Sequence, residues 1–278
     1  FAIFGKIIYT KYLVSKLIDN GFTPPVLFIN TDNEYERDKD LLSKYNLFYD
    51  LEKDNKEVQL KVIKTNNINE TKVLSILQKE NINIGISTSC RNIFKNKIIN
   101  HFKGRLYNIH DSFLPNERGG ALNTWRILNN ISSVGNTLHL IDEGIDTGDI
   151  IYRKKTPIKK KCSKPIDYMI AENKNCKNII DKFISDLKKN MLPKGKKQNN
   201  DTSFYFPRLY TELNGLINWD WNILDIEKFI RAFSTPYPGA YSYIKGNKIF
   251  ILDVEVEKKK YSASVITRPL NDKKLGSL

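Results

Sequence analysis

The 278-residue chain is predicted to be an α/β protein: a Rossmann-like, mostly parallel sheet with flanking helices, followed by a small strand-rich C-terminal segment. Two observations predict the sheet. Short apolar runs recur along the first half, and between them lie stretches of about ten residues with helical spacing, as right-handed parallel crossovers require. A third observation separates the end of the chain. The run MLPKGKKQNNDTS (191–203) holds almost nothing apolar, and beyond it Tyr, Trp and Phe cluster.

In order, FAIFGK (1–6) reads as a buried strand ending at Gly5. YTKYLVSKLIDNG (9–21) places Tyr12, Leu13, Leu17 and Ile18 on one helical face, with Gly21 as its stop. PPVLFIN (24–30) is a second strand, and residues 31–57 are too polar to assign. VQLKVIK (58–64) alternates as a strand does. NETKVLSILQKEN (69–81) is an amphipathic helix, INIGIS (82–87) a strand, 91–102 a short helix and RLYNI (105–109) a strand. ALNTWRILNN (121–130) reads as a helix, SVGNTLHLI (133–141) as a strand, EGIDTGD as a turn and IIY as a restarting strand. Residues 165–192 are mainly helical, 193–203 form a linker, and strands are expected near 248–256 and 261–267. The expected domains are therefore 1–192 and 204–278.

Composition narrows the function. No apolar run approaches the ~20 residues of a membrane span, no signal peptide is visible in this sequence, and the sparse cysteines make a reduced, cytoplasmic protein the expectation. The three cysteines, Cys90, Cys162 and Cys176, form no CxxC pair, which argues against a disulfide framework and a zinc site. The net charge is +14, and residues 153–197 alone hold 15 Lys or Arg against four Asp or Glu. Such a run is commonly a solvated face, and it lacks the interleaved aromatics of a single-strand binder. Gly5 is followed by Lys6-Ile7-Ile8 rather than a G-x-G-x-x-G turn, which argues against NAD or FAD.

One stretch stands apart. YNIHDSFLPNERGG (107–120) sets Asn108 and His110 at the carboxyl end of a strand, where open α/β sheets bind ligands. Alone, a histidine there is commonly structural, and Asp146 between Gly144 and Gly148 is ordinary turn chemistry. Together they have another reading. Imidazole moves protons near neutral pH, a carboxylate orients it, and an amide N–H holds an oxyanion. Spacing does not establish that Asp146 meets His110. His139, in mid-strand, reads as structural.

The run N-x-H-x-S-x-L-P-x-x-R-G-G (Asn108–Gly120), then Trp125, then G-x-T-x-H-x-x-x-x-x-x-D-x-G-x-I (Gly135–Ile150) resembles the formyltetrahydrofolate-dependent formyltransferases. ISTSCRNIF (86–94) looks like that family's folate-cradling loop. NGLINWDW (214–221) and IRAFSTPYPGAYS (230–242) look like members acting on nucleotide-linked amino sugars. The resemblance implies a Rossmann-like domain and N10-formyltetrahydrofolate as co-substrate, without a metal. It assigns catalysis to Asn108, His110 and Asp146, with His110 either as base or as oxyanion partner. Folate would be held by Ser89, Cys90, Arg91, Asn92, Ile145 and Asp146. Arg118 would contact a phosphate or support its loop; Trp219, Tyr237 and Tyr241 would meet the nucleotide or pack.

Of the acceptors in that family, the implied one is a dTDP-linked amino-dideoxyhexose destined for a surface glycan such as O-antigen. The 4-amino-4,6-dideoxyglucose is favoured over a 3-amino sugar, and the protein is expected to be a homodimer. Methionyl-tRNA formyltransferase is the alternative within the family. A non-catalytic basic binding protein is the alternative of another class, disfavoured by the retained polar positions and the absence of a nucleic-acid motif.

Overall fold

The structure is a computed structural model and describes residues 1–30, 39–50, 58, 60–159, 163–258 and 263–267. Most of the unassigned stretch 31–57 lies outside the described residues, as does Cys162.

Apolar strands alternate with helices as the spacing predicts. β1 (Ala2–Phe4), β2 (Val26–Ile29), β3 (Val62–Lys64), β4 (Gly85–Thr88) and β5 (Leu106–His110) run parallel to one another. α1 (Ile8–Asp19), α2 (Thr71–Lys79) and α3 (Asn96–Phe102) lie between them in sequence. After the two-residue β6 (Arg118–Gly119) and α4 (Leu122–Leu128), β7 (Ser133–Leu140) and β8 (Ile150–Pro157) complete a seven-stranded sheet. Its order is β3-β2-β1-β4-β5-β7-β8. The last two strands are antiparallel: β7 pairs with β5 on one side and β8 on the other. The short β6 pairs in parallel with β9 (Tyr205–Phe206). Among the described residues, no helix is long and apolar enough to cross a membrane.

Strands covered on both faces read as continuous apolar runs, and successive side chains enter opposite layers. On one face Ile3, Leu27, Ile86, Ile109 and Leu138 pack with Leu13 and Leu17 of α1. Cys176, Ile180 and Phe183 of α5 (Pro165–Lys188) join them. On the other, Phe4, Phe28 and Leu106 pack with Val73 and Leu77 of α2 and Ile98 and Phe102 of α3. Each such side chain contributes about 1.5–3 kcal/mol through burial. The period of two sets Asn108 and His110 on the Leu106 face of β5, so the same packing that orders the strand aims both polar groups.

The chain divides into two compact units. One comprises Phe1–Leu122, Ser133–Ile158 and Met169–Pro207; the other comprises Asn123–Ser132, Lys159–Tyr168 and Arg208–Leu278. In the second, α6 (Ile223–Ala232) begins at Asn222, whose Oδ1 accepts from the Leu224 and Asp225 amides at 3.1 and 3.0 Å. This helix buries Ile226, Phe229 and Ile230. Two hairpins follow, β10 (Ala240–Ile244) with β11 (Asn247–Ile251) and β12 (Val254–Lys258) with β13 (Ala263–Thr267). The expected single strand at 248–256 is thus two strands, broken at Leu252-Asp253. The strand expected from Val58 begins only at Val62.

Candidate active site

The antiparallel pairing of β5 with β7 builds one wall of the site. Its register sets Asn108 opposite His139 and His110 opposite Thr137. Asn108 Nδ2 lies 3.1 Å from His139 Nε2, and His139 Nδ1 lies 2.7 Å from the Leu140 carbonyl. A carbonyl only accepts, so His139 carries its proton on Nδ1 and its Nε2 accepts from the Asn108 amide. The second Asn108 N–H is at the 3.5 Å limit from Asp146 Oδ1. That weak contact leaves it the hydrogen a stronger acceptor would take.

His110 is fixed by the same reasoning. Its Nε2 lies 3.0 Å from the Glu117 carbonyl and therefore donates, which turns Nδ1 toward Asp146 Oδ1 at 3.7 Å. The histidine is 8% exposed. His110 and His139 thus flank one carboxylate, with His139 Nε2 at 3.6 Å from the same oxygen. Asp146 Oδ2 accepts from the Gly119 amide at 3.0 Å. Burial opposes ionisation of Asp146, but His110 and His139 whenever they carry positive charge, together with that amide, hold its carboxyl well below the usual carboxylate range. A constant negative charge therefore stands beside an imidazole nitrogen able to take a proton.

Asp146 sits in the loop between β7 and β8 with φ +55°, a left-handed conformation that Asp tolerates better than most side chains. Gly148 is required beside it, because a Cβ there would come 1.9 Å from the Leu140 carbonyl oxygen. The loop is tied down from the segment 193–203. Gln198 Nε2 donates to the Asp146 and Gly148 carbonyls at 2.8 and 2.7 Å. The sequence does not single out Gln198, and a polar connecting stretch gives no periodic signal that would do so.

Four of the expected folate-contacting residues, Ser89 to Asn92, follow β4, the parallel neighbour of β5. Ser89 has φ +63°, and Gly5 makes room for this turn: a Cβ on Gly5 would meet the Thr88 carbonyl oxygen at 2.4 Å. Asn92 Nδ2 donates to the Asn66 carbonyl at 3.0 Å, so the loop is held from 64–70. Burial pushes the Cys90 thiol up to about 11, which keeps it protonated and poorly nucleophilic at neutral pH. Arg91 is half-buried, while Ile145 is exposed. Arg118 is buried, donating to Gln198 Oε1 through Nε and Nη2 at 3.2 and 2.8 Å and to Asn200 Oδ1 at 2.9 Å.

The remaining candidates belong to the second unit. Trp219 is exposed, yet its Nε1 donates to Ser242 Oγ at 2.8 Å. Tyr241 is buried, and its hydroxyl donates to the Glu212 carbonyl at 2.9 Å. Tyr237 is half-buried, and its amide donates to the Ser234 carbonyl at 3.1 Å. Among the described residues, no group of three or more His, Cys, Asp or Glu side chains is arranged to hold a metal ion.

An amide donor, an imidazole and a buried carboxylate at the strand ends define a group-transfer site, equipped to steady an oxyanion and move a proton. Known proteins give that class its family. Residues 2–172 match the family described as formyl transferase, and residues 211–275 match the formyl transferase C-terminal domain. The chain belongs to the formyl transferase family.

Among solved structures, WlaRD, a sugar 3N-formyl transferase in the presence of dTDP and 5-N-formyl-THF, is 27% identical, with a TM-score of 0.66. The match covers 93% of this chain and 86% of that one. The bifunctional polymyxin resistance protein ArnA of Wigglesworthia glossinidia brevipalpis is 29% identical over 221 residues, 77% of this chain and 32% of that protein. Methionyl-tRNA formyltransferase of Syntrophus aciditrophicus is 28% identical over 193 residues, 69% of this chain and 61% of that protein. The match thus spans about a third to three-fifths of these two curated relatives' lengths.

Proposed function

We propose that the protein transfers a formyl group from N10-formyltetrahydrofolate to the amine of a dTDP-linked amino-dideoxyhexose, in the cytoplasm and as a homodimer. Residues 1–192 would form the catalytic domain and 204–278 would supply substrate and dimer contacts. One observation carries the sugar reading: the likeness to a sugar 3N-formyl transferase extends over 93% of this chain and 86% of the other. A methionyl-tRNA formyltransferase structure is covered to 97% of its length but fits less closely, with a TM-score of 0.54 at 18% identity against 0.66 at 27%. The sequence favours the 4-amino-4,6-dideoxyglucose, whereas that likeness supports a 3-amino sugar.

In this reading the amine nitrogen bonds to the formyl carbon, and the carbonyl electron pair moves onto oxygen. Asn108 donates its weakly held N–H to that oxyanion. His110 Nδ1 takes the proton released by the amine, and Asp146 stabilises the resulting imidazolium. Collapse of the intermediate breaks the bond to N10, which leaves with a proton as tetrahydrofolate. Main-chain groups of Ser89 to Asn92 and of Ile145 to Asp146 would hold the pterin, and Trp219 and Tyr237 would meet the nucleotide.

The test is incubation with N10-formyltetrahydrofolate and dTDP-linked 3-amino and 4-amino sugars, read by mass for the gain of one CO. Formylation of either sugar supports the proposal and fixes the amine position. Formylation of charged initiator tRNA alone overturns it.

A further inference from the structure

Asp146 is held from two sides by one ring of hydrogen bonds. Gly119 N holds its carboxylate, while Gln198 Nε2 holds its main chain through the Asp146 and Gly148 carbonyls. The ring closes through Arg118, the residue before Gly119, whose guanidinium grips Gln198 Oε1 through two nitrogens. Both ends of the Gln198 amide are therefore used, which fixes its orientation: oxygen to Arg118, nitrogen to the loop.

The segment carrying Gln198 is itself anchored. Ile150 and Lys196 exchange backbone hydrogen bonds, each of 2.8 Å, and Gly195 lies so near Asp149 that a Cβ there would come 2.4 Å from the Asp149 Cβ. Arg118 also donates to Asn200. Residues 195–200 are thus docked against the loop that presents Asp146. That loop needs support, because Asp146 occupies a left-handed conformation that most side chains avoid.

We propose that Gln198, oriented by Arg118, is a positioning residue that keeps the Asp146 carboxylate in register with His110 Nδ1. The proposal rests on the formyl-transfer reading for its kinetic consequence but not for its geometry. Gln198 touches no reacting atom. Its loss lets the 146–148 backbone relax, and a displacement of about 1 Å at a catalytic group costs roughly 100-fold in rate.

Two variants separate positioning from mere packing. Gln198→Leu removes every hydrogen bond of the amide at similar volume. Gln198→Glu keeps an acceptor for Arg118 but has no N–H for the two carbonyls. Both are expected to lower kcat by about 10–100-fold with KM for the amine little changed. Gln198→Glu retaining wild-type kcat overturns the proposal, since only the Arg118 contact would then matter. In the background of Asp146→Ala, Gln198→Leu is expected to cost nothing further; an additive loss also overturns it.

A crystal structure of Gln198→Leu supplies a readout independent of turnover. Asp146 is expected to leave its left-handed conformation and its 3.7 Å separation from His110. An unmoved carboxylate overturns the proposal even if no formyl acceptor is found. Absence of transfer by the wild type, with the carboxylate displaced in the variant, overturns the functional reading alone and supports the positioning role.

Discussion

Replacing Asp146 by Asn tests the centre of the site with little change of shape. The carboxylate oxygen stands 3.7 Å from His110 Nδ1. At an effective dielectric of ~20, unit charges at that distance attract by about 4–5 kcal/mol. The Asp146 side chain is 13% exposed, so solvent trims this modestly, to about 3–4 kcal/mol, or roughly 10²–10³ in rate. An Asn has a second effect: its Oδ1 can still accept from Gly119 N, which turns its NH₂ toward His110 and opposes protonation at Nδ1. Single-turnover formyl transfer measured with saturating co-substrates should therefore slow by about 10²–10³-fold, with substrate binding retained. Near wild-type turnover from mildly acidic to mildly basic pH would refute the role given to the carboxylate.

Neighbouring contacts set three more expected outcomes. His139→Phe removes the acceptor that orients the Asn108 amide and is expected to lower kcat by about tenfold with unchanged KM; an unaltered kcat would return His139 to a purely structural role. Gly119→Ala sets a Cβ 2.2 Å from the Phe206 carbonyl oxygen at φ +95°, so a loss of about 2–4 kcal/mol is expected. A thermal melt should show this as a Tm lower by roughly 5–15 °C. The depressed carboxyl of Asp146 contributes stability that is fully present above its unfolded pKa of about 4 and is lost progressively as pH falls from there toward the lower folded value. Urea unfolding should therefore show a gap between wild type and Asp146→Asn that shrinks on acidification from about pH 6 to about pH 3.

Elements with strong periodicity are legible in the sequence. Leu13 and Leu17 mark α1, and Val73 and Leu77 mark α2, because both helices bury a regular stripe against the sheet. Asn108, His110 and Asp146 are legible through a resemblance rather than through spacing. His139 is not marked as part of the site because its meaning depends on register: only the antiparallel pairing of β5 with β7 sets it opposite Asn108. Gln198 is hidden for another reason, since its nitrogen contacts backbone carbonyls, which leave no trace in the identities of the residues contacted. In the second unit, α6 is obscured among aromatic residues, although Asn222 and the spacing of Ile226, Phe229 and Ile230 carry its signal.

The edge formed by β8 gives part of the basic excess a structural meaning. Among the described residues β8 ends the sheet, and beyond the backbone pairing of Ile150 with Lys196 it bears Arg153, Lys154 and Lys155, all exposed. An open strand edge invites another strand to add, and closely spaced cations make that addition unfavourable. Arg153 also reaches back, donating to the Leu114 carbonyl at 2.6 Å and lying 4.2 Å from the Phe113 ring centroid. The charges at 153–155 thus guard the sheet against growth by self-association, and one of them braces the turn that follows β5.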